Sequence, residues 1–185
     1  MNNKFFTNYF RFLKEGMGSV SHEDLVKASE KIKAISKAGN KLIIAGNGGS
    51  AAIASHVSVD FTKAAGIRAI NFNEADLLTC FANDYGYERV FEKAVDFYGD
   101  AGDLLILISS SGSSKNVVNV AKRAKELSIS VITFSGFNSD NPLRQLGDFN
   151  FWVDSKAYNI VEMTHHIWLL AIVDYIIGDI EYSAS

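Results

Sequence analysis

Cysteine, proline and clustered positive charge are scarce in this 185-residue chain, and each shortage excludes a class of protein. The single cysteine, Cys80, allows no disulfide within the chain, which excludes a small disulfide-stabilised domain. One proline and no low-complexity segment leave no visible linker, so we expect one domain. The net charge of −3, with no cluster of Lys and Arg, argues against a sequence-independent nucleic-acid surface.

An uninterrupted apolar run of membrane-spanning length is also missing. The most apolar segment, 160–177, is interrupted by polar side chains at Glu162, His165, His166 and Asp174, which is typical of a buried or interface helix. Charged residues are spread through the N-terminal region, where a signal peptide would have a continuous apolar stretch. We therefore expect a cytoplasmic protein with no membrane partner.

What the chain does contain is a regular alternation of aliphatic runs and helical periodicity. Strands are predicted at 41–46, 67–72, 103–109, 129–135 and 149–153. Helices are predicted at 50–63, 74–98 with a break at "NDYG", 114–127 and 158–177, with a short helix after Pro142. Continuous aliphatic strands separated by helices indicate an α/β fold with a parallel sheet covered on both faces.

Two further helices are predicted ahead of the first strand. The first has an aromatic face formed by Phe5, Phe6, Tyr9, Phe10, Leu13 and Met17 at helical spacing. This face packs either on its own domain or, as we prefer, on another subunit. The stretch "SHED", Ser21 to Asp24, has the spacing of a capping box and predicts a second helix that ends at Gly39 and Asn40.

Two loops rich in glycine and serine follow predicted strands. The first is "AGNGGSAA", 45–52, and the second lies in "LILISSSGSSKNVV", 105–118, where five serines exceed what a turn requires. Each leads into a helix N-terminus, which presents unpaired N–H groups to phosphate at the ligand-binding edge of a parallel sheet. Because neither loop has the spacing of a dinucleotide or triphosphate motif, we expect a single phosphate on a small organic body.

Three ordered motifs resemble those of the SIS (sugar isomerase) domain family, and within it the sedoheptulose 7-phosphate isomerases. They are "GNGGSAA" followed by His56, "ANDYGYERVF" at 82–91, and "ISSSGSSKNVV" at 108–118. The resemblance spans nearly the whole chain and implies one SIS domain over 1–185. It implies a three-layer, flavodoxin-like sandwich with a five-stranded parallel sheet over 40–185, preceded by N-terminal helices over 1–39. It also implies homodimers or homotetramers whose sites are shared between subunits.

The resemblance further implies roles for particular residues. The phosphate-binding serines correspond to Ser50, Ser109, Ser111 and Ser114, with Ser110 between them, and Asn47 and Asp84 match positions that line the sugar site. A His and a Glu of the family's metal site correspond to His56 and Asp60, which lie four residues apart on one helix face. The simple alignment places Val161 and Leu169 where the family has the two other ligands, a Gln and a His.

The last predicted helix offers two polar groups instead. Its "YNIVEMTHH" resembles the pattern "Y-G-I-V-E-x-x-H" of SIS proteins of surface-sugar pathways, with Glu162 and His165 sharing a face. We therefore expect a catalytic set of His56, Asp60, Glu162 and His165. This set would serve either a divalent metal such as zinc, held by His56, Asp60 and His165, or metal-free acid–base catalysis. His166 and Asp174 are expected to be structural or interface residues.

The function that the resemblance implies is an aldose–ketose isomerase acting on a phosphorylated seven-carbon or similar sugar. Asp60 or Glu162 would be one of the two proton-transfer groups, and His56 or His165 the other. A second hypothesis is a non-catalytic SIS module, which has the phosphate-binding loops but does not isomerise the sugar. Such a module would sense a phosphosugar or bind a protein partner. Serine loops are expected under both hypotheses, so the four-residue catalytic set is what distinguishes them.

Overall fold

The computed structural model describes residues 3–182 and contains a five-stranded, all-parallel sheet. Its strands are β1 (Leu42–Gly46), β2 (Ala69–Asn71), β3 (Leu104–Ser109), β4 (Ser130–Ser135) and β5 (Phe149–Trp152), in the order β2-β1-β3-β4-β5. The predicted parallel sheet and its strands are confirmed. Residues 1, 2 and 183–185 of the expected domain lie outside the described residues.

Seven α-helices connect or precede these strands in the described part of the chain. They are α1 (Asn3–Met17), α2 (His22–Lys37), α3 (Gly49–Lys63), α4 (Ala75–Tyr85), α5 (Val90–Tyr98), α6 (Lys115–Glu126) and α7 (Tyr158–Ile177). The break predicted in the fourth helix falls at Gly86, whose φ of +84° interrupts the helical conformation. A 3₁₀ turn, Tyr87–Arg89, follows it, and the short helix after Pro142 is a second 3₁₀ turn, Leu143–Gln145.

Alternate residues of the central strands face two different helical layers. Leu42 and Ile44 of β1 belong to a core with α2, α3 and α7, whereas Ile43 and Ala45 belong to a core with α5 and α6. All four are at most 1% exposed. The strands are therefore buried on both faces, which explains why they read as continuous aliphatic runs without polar alternation.

The two N-terminal helices differ in how they are held. The Ser21 hydroxyl accepts a hydrogen bond from the Asp24 N–H at the start of α2, as the capping-box spacing predicts. Helix α1 contacts α7, and the indole N–H of Trp168 donates to the Met17 carbonyl at 2.9 Å. The aromatic residues of α1 nevertheless remain exposed, with Phe5, Phe6 and Phe10 at 65%, 56% and 62%.

Helix α7 is the one helix among the described residues that is long and apolar enough to cross a membrane by length and composition. In this fold it contacts α1, α2, α3 and β4. Trp168, Leu169, Ile172 and Val173 are each at most 2% exposed and lie in the core of one sheet face. The helix therefore has the contacts of a core helix, as its interrupting polar residues predict.

The strand order places a topological switch point between β1 and β3. The chain leaves β1 toward β2 on one side and leaves β3 toward β4 on the other. In open parallel sheets the loops diverge at this point and leave a crevice at the carboxyl ends of the strands. Both Gly/Ser-rich loops start here, because β1 ends at Gly46 and β3 ends at Ser109. In the sheet, Gly46 lies opposite the residue that immediately precedes Ser109.

Candidate active site

A cavity of about 130 Å³ lies at this switch point and brings the two loops together. Its lining residues come from both loops and from the first turns of α7: Asn47, Ser50, Ile108, Ser109, Ser110, Ser111, Ser114, Tyr158 and Glu162. Both α3 and α6 begin at the cavity, so two helix N-termini are directed toward it. The expectation that the serine loops form one site therefore agrees with the geometry.

The hydrogen-bonding capacity of the serine hydroxyls is not fully occupied by contacts within the loops. Ser114 occupies the N-cap position of α6, yet its side chain makes no capping hydrogen bond. Its hydroxyl instead lies 3.5 Å from the Ser109 hydroxyl, a distance at which a hydrogen bond is weak. The first N–H groups of α6 and the hydroxyls beside them are therefore available to an anion. No lysine or arginine lines the cavity, so neutral donors and helix ends would hold a phosphate here.

The half-buried carboxylate of Glu162 lies in the same cavity. The Ser110 hydroxyl is 3.4 Å from Glu162 Oε1, and a Cβ atom at position 49 would collide with this carboxylate. The absence of a side chain at Gly49 thus leaves room for the Glu162 carboxylate at the start of α3. The N-terminus of α3 favours a negative charge at this position. The carboxylate is held beside the serines by the packing of α7 on α3.

Asp84, which was expected to line the sugar site, does not reach this cavity. It is exposed and accepts hydrogen bonds from the Asn83 amide at 2.9 Å and the Cys80 thiol at 3.7 Å. Burial and the nearby carboxylate of Asp84 raise the pKa of the Cys80 thiol. Asp84 belongs to α4, whose C-terminal end lies outside the cavity, so its role at the sugar stays a prediction.

His56 and Asp60 lie together on the surface of α3, as their spacing predicts. The two atoms His56 Nε2 and Asp60 Oδ2 are 3.3 Å apart. The other ring nitrogen, Nδ1, is 2.8 Å from Nε2 of His166 on α7, and the two imidazoles are edge to face. His166, expected to be structural, is therefore the histidine of α7 that joins this pair. Burial and the neighbouring imidazole of His56 lower the pKa of His166.

This arrangement does not fit a divalent metal. His56 contacts its two neighbours through opposite ring nitrogens, so the three side chains do not converge on one point. No group of three or more His, Cys, Asp or Glu side chains within residues 3–182 is arranged to hold a metal ion. Val161 and Leu169, which match two family ligands, are apolar and fully buried. The donor set within one chain is thus incomplete for tetrahedral zinc.

The expectation that His165 faces the sugar pocket is corrected by the structure. Its side chain is fully buried against Phe134 and Trp168, and Nε2 lies 3.0 Å from the Ser135 carbonyl. A carbonyl only accepts, so Nε2 carries the proton, and Nδ1 has no partner within the described chain. Burial lowers the pKa of His165 to about 4. A neutral core imidazole of this kind is not positioned to act on a ligand in the cavity.

Comparison with known proteins agrees with this geometry. Residues 5–136 match the family model described as "SIS domain". The chain belongs to the SIS domain family. A phosphoheptose isomerase of Fusobacterium nucleatum is 33% identical over 153 residues, covering 80% of this chain and 78% of that protein. A phosphoheptose isomerase of Aliarcobacter butzleri is 38% identical over 149 residues, covering 77% and 78%.

A solved structure is also similar to this SIS domain. The phosphoheptose isomerase of Neisseria gonorrhoeae superposes with a TM-score of 0.86 at 30% identity, covering 94% of this chain and 95% of that one. The expected resemblance to phosphoheptose isomerases and the expected SIS fold are both confirmed.

Sequence reasoning identified Glu162 but missed two other residues of α7 in this SIS domain that the structure brings to the site, Tyr158 and His166. Tyr158, Glu162 and His166 are spaced at i, i+4 and i+8, which places them on one face of α7. The first two line the cavity and the third contacts His56. The same spacing rule puts Glu162 about 40° from His166 and about 60° from His165 around the helix axis. That rule could have indicated His166, whereas the contact of Asn116 with Asn47 had no local sequence signal.

Proposed function

We propose that this chain is a phosphosugar aldose–ketose isomerase that interconverts sedoheptulose 7-phosphate and glycero-manno-heptose 7-phosphate. The observation that carries the proposal is the presence of the Glu162 carboxylate in the same cavity as the phosphate-binding serines. One region of the cavity can hold the phosphate while a base lies beside it. The names of the relatives support the choice of a seven-carbon sugar phosphate. A cytoplasmic location is part of the proposal.

The reaction moves one proton between two carbons and one between two oxygens. Glu162 takes the proton from C1 of the ketose and returns it to C2 of the enediol, and the C1 hydroxyl proton is transferred to the C2 oxygen. The serines and the helix N-termini bind the phosphate, and that binding orients the reacting carbons of the sugar toward Glu162. His56, whose Nε2 lies 3.3 Å from Asp60 Oδ2, is the proposed second proton-transfer group. His165 has no proposed role in the chemistry, and no step uses a metal.

The second group would come from another copy of the chain. The cavity of one chain, about 130 Å³, is smaller than the roughly 300 Å³ of ordinary ligand pockets, so most of a heptose lies beyond it. His56 is exposed on α3, and Phe5, Phe6 and Phe10 are exposed on α1. A groove of about 470 Å³ next to α1 is lined by Phe12, Gly16, Val153 and Ile160 among others. We propose that a second copy covers these surfaces and completes the site.

Self-association is therefore the first measurable consequence. Multi-angle light scattering at micromolar concentration should give a dimer or tetramer, because exposed aromatic residues of this density are typical of subunit interfaces. Replacement of Phe6 and Phe10 by serine should shift the protein toward monomer, whereas Lys4→Ser on the same helix should not. A wild-type protein that remains monomeric would contradict the proposal of a shared site.

The activity itself is tested with sedoheptulose 7-phosphate in deuterated water. Proton abstraction from C1 should exchange the C1 proton for deuterium and should form the aldose, both visible by nuclear magnetic resonance. The free sugar without its phosphate should react poorly, because the serine loops then bind nothing. If the phosphorylated sugar binds but neither exchange nor aldose appears, the isomerase proposal is refuted.

One set of observations favours a second candidate function, a phosphosugar sensor without catalysis. Val161 and Leu169 are buried and apolar, and His165 is committed to the core, so the set of acid–base residues is smaller than expected. A sensor would bind the sugar phosphate at the same serines and leave it unchanged. The exchange experiment separates the two functions, since only the isomerase incorporates deuterium.

A further inference from the structure

Three polar side chains, one from each of the three motifs, meet beside the cavity. Asn47 follows β1, Tyr87 lies in the 3₁₀ turn after α4, and Asn116 lies in the first turn of α6. The amides of Asn47 and Asn116 exchange two hydrogen bonds, each with 2.9 Å between nitrogen and oxygen. The Tyr87 hydroxyl donates to Asn47 Oδ1, also at 2.9 Å. This network is independent of the serines and of Glu162.

The direction of every hydrogen bond in this network follows from one backbone group. The Val117 N–H, which can only donate, lies 3.0 Å from Asn116 Oδ1 and therefore fixes which side of the Asn116 amide is the oxygen. Asn116 Nδ2 must then face the oxygen of Asn47. A flipped Asn47 amide would place two nitrogens against each other and two oxygens against each other. Because Asn116 is only 2% exposed, water cannot relieve that mismatch.

The network leaves Asn47 with a single unused polar group. Its oxygen accepts from Tyr87 and from Asn116, and one of its two N–H groups donates to Asn116. Within residues 3–182, nothing accepts the second N–H. Asn47 also lines the cavity. The side chain therefore offers a bound ligand a donor and no acceptor.

The 3₁₀ turn that carries Tyr87 is itself attached to α6. The Asn119 amide, one turn after Asn116, donates to the Glu88 carbonyl at 3.0 Å. Tyr87 is 56% exposed, so its ring is not held by burial, and its position depends on this attachment and on its hydrogen bond to Asn47. The second motif thus contacts the first through a hydroxyl, and it contacts α6, the helix that carries Asn116, through a backbone carbonyl.

We propose that Asn116 and Tyr87 are positioning residues, which fix the Asn47 amide so that it donates a hydrogen bond to an oxygen atom of the sugar. The inference rests on the proposed function for the identity of the ligand. It assigns Asn47 to recognition of a carbonyl or hydroxyl oxygen and leaves recognition of the phosphate to the serines. Loss of either positioning residue frees the amide to turn its oxygen toward the cavity.

The test compares the binding of two ligands to two variants and a control by calorimetry. Asn116→Ser removes the amide pair and keeps a hydroxyl that can accept from the Val117 N–H, and Tyr87→Phe removes only the phenol hydroxyl. The control is Tyr85→Phe, whose hydroxyl has no contact with Asn47. The ligands are sedoheptulose 7-phosphate and inorganic phosphate, and thermal unfolding is recorded for each protein.

Asn116→Ser is expected to weaken sedoheptulose 7-phosphate binding by about tenfold and Tyr87→Phe by about threefold, the scale of one neutral hydrogen bond or less. Binding of inorganic phosphate should stay within about twofold of wild type, and Tyr85→Phe should change neither affinity. If Asn116→Ser does not fold, Tyr87→Phe, at an exposed position, still decides the matter.

Two results would overturn the inference while leaving the proposed function intact: unchanged affinities in both variants, or an equal loss for both ligands, which would mean that the network only supports the serine loops. A wild-type protein that binds the sugar phosphate no better than inorganic phosphate would instead refute the proposed function, and the inference with it.

Discussion

Two polar clusters lie at opposite edges of the same sheet, and they differ in how completely their groups are paired. At the amino edge, the carboxylate of Asp103 is 1% exposed and accepts from the Lys41 ammonium at 2.6 Å and from the backbone N–H groups of Lys41 and Asp100 at 3.0 and 2.9 Å. At the carboxyl edge, the Ser111 hydroxyl accepts from the Ser113 N–H at 3.2 Å, and the contacts of Ser109 with Ser114 and of Ser110 with Glu162 are 3.5 and 3.4 Å long.

The difference indicates which cluster serves the fold and which serves a ligand. Buried polar groups that are fully hydrogen-bonded within the chain stabilise the fold, whereas donors without good partners in the chain are available to bind a ligand. Burial alone would raise the pKa of Asp103, but its hydrogen bonds from Lys41 and from the backbone lower the pKa overall. Changes at the amino edge should therefore affect folding, and changes at the carboxyl edge should affect binding and turnover.

The largest expected effect is on catalysis at the carboxyl edge. Glu162→Gln keeps the shape of the side chain and removes the base, so turnover of sedoheptulose 7-phosphate should fall by about 1,000-fold. Calorimetry should show binding of the sugar phosphate within about threefold of wild type. Glu126→Gln, an exposed change on α6, is the control and should leave turnover unchanged. Normal turnover in the Glu162 variant would exclude it as the base.

The next effect in size is on stability at the amino edge. Asp103→Asn removes the buried carboxylate that pairs with the Lys41 ammonium, so the free energy of unfolding in urea should fall by about 3 kcal/mol. Asp100, the other carboxylate partner of Lys41, has a side chain that is 78% exposed. Asp100→Asn should therefore lower the free energy of unfolding by less than about 1 kcal/mol. Phosphate binding should survive both changes. Equal losses in the two variants would contradict the contrast between paired and unpaired clusters.

Binding at the carboxyl edge should respond to a pair of serine substitutions. Replacing both Ser109 and Ser111 with alanine removes two donors to a charged ligand and should weaken phosphosugar binding by roughly 1 to 3 kcal/mol. Ser113→Ala, in the same loop but outside the cavity, should have little effect. If the double variant binds as tightly as wild type in calorimetry, the phosphate lies elsewhere.

The effect that is smallest within one pH unit concerns the buried His165, which contacts the last residue of β4. The pKa of His165 is about 4 in the folded chain, below its usual value of about 6.5, so the unfolded chain binds more protons between these pH values. The free energy of unfolding should therefore fall as the pH is lowered from about 6.5 to about 4, by up to about 1.4 kcal/mol per pH unit. His165→Gln should reduce that slope more than His166→Gln does. Identical slopes in wild type and His165→Gln would show that His165 does not titrate in this window.

Much of this molecule could be predicted from residue patterns. The aliphatic runs predicted all five strands to within two residues at each end, because strands buried on both faces leave an unambiguous signal. The serine loops predicted the edge of the sheet at which the cavity lies, and the binding of an anion there stays a prediction. These features depend on residues that are near one another in the chain.

The features that could not be predicted depend on the rotation of α7 against α3. A sequence pattern places Glu162 and His165 roughly on one side of a helix, but it does not say where the boundary between cavity and core falls. In the structure that boundary separates the two residues. Glu162 lies on the cavity side beside Gly49, and His165 lies on the core side in contact with the Ser135 carbonyl. The pairing of Asn47 with Asn116 spans 69 residues and likewise follows only from the completed sheet.

The most direct test of the account is a crystal structure of the Glu162→Gln variant with sedoheptulose 7-phosphate. The account predicts phosphate oxygens within about 3 Å of the Ser109 and Ser111 hydroxyls, at the start of α6, and the substituted side chain of residue 162 beside C1 and C2 of the sugar. A phosphate bound away from these serines, or a sugar whose C1 and C2 lie beyond the reach of residue 162, would contradict the claim that this edge of the sheet binds and isomerises a phosphosugar.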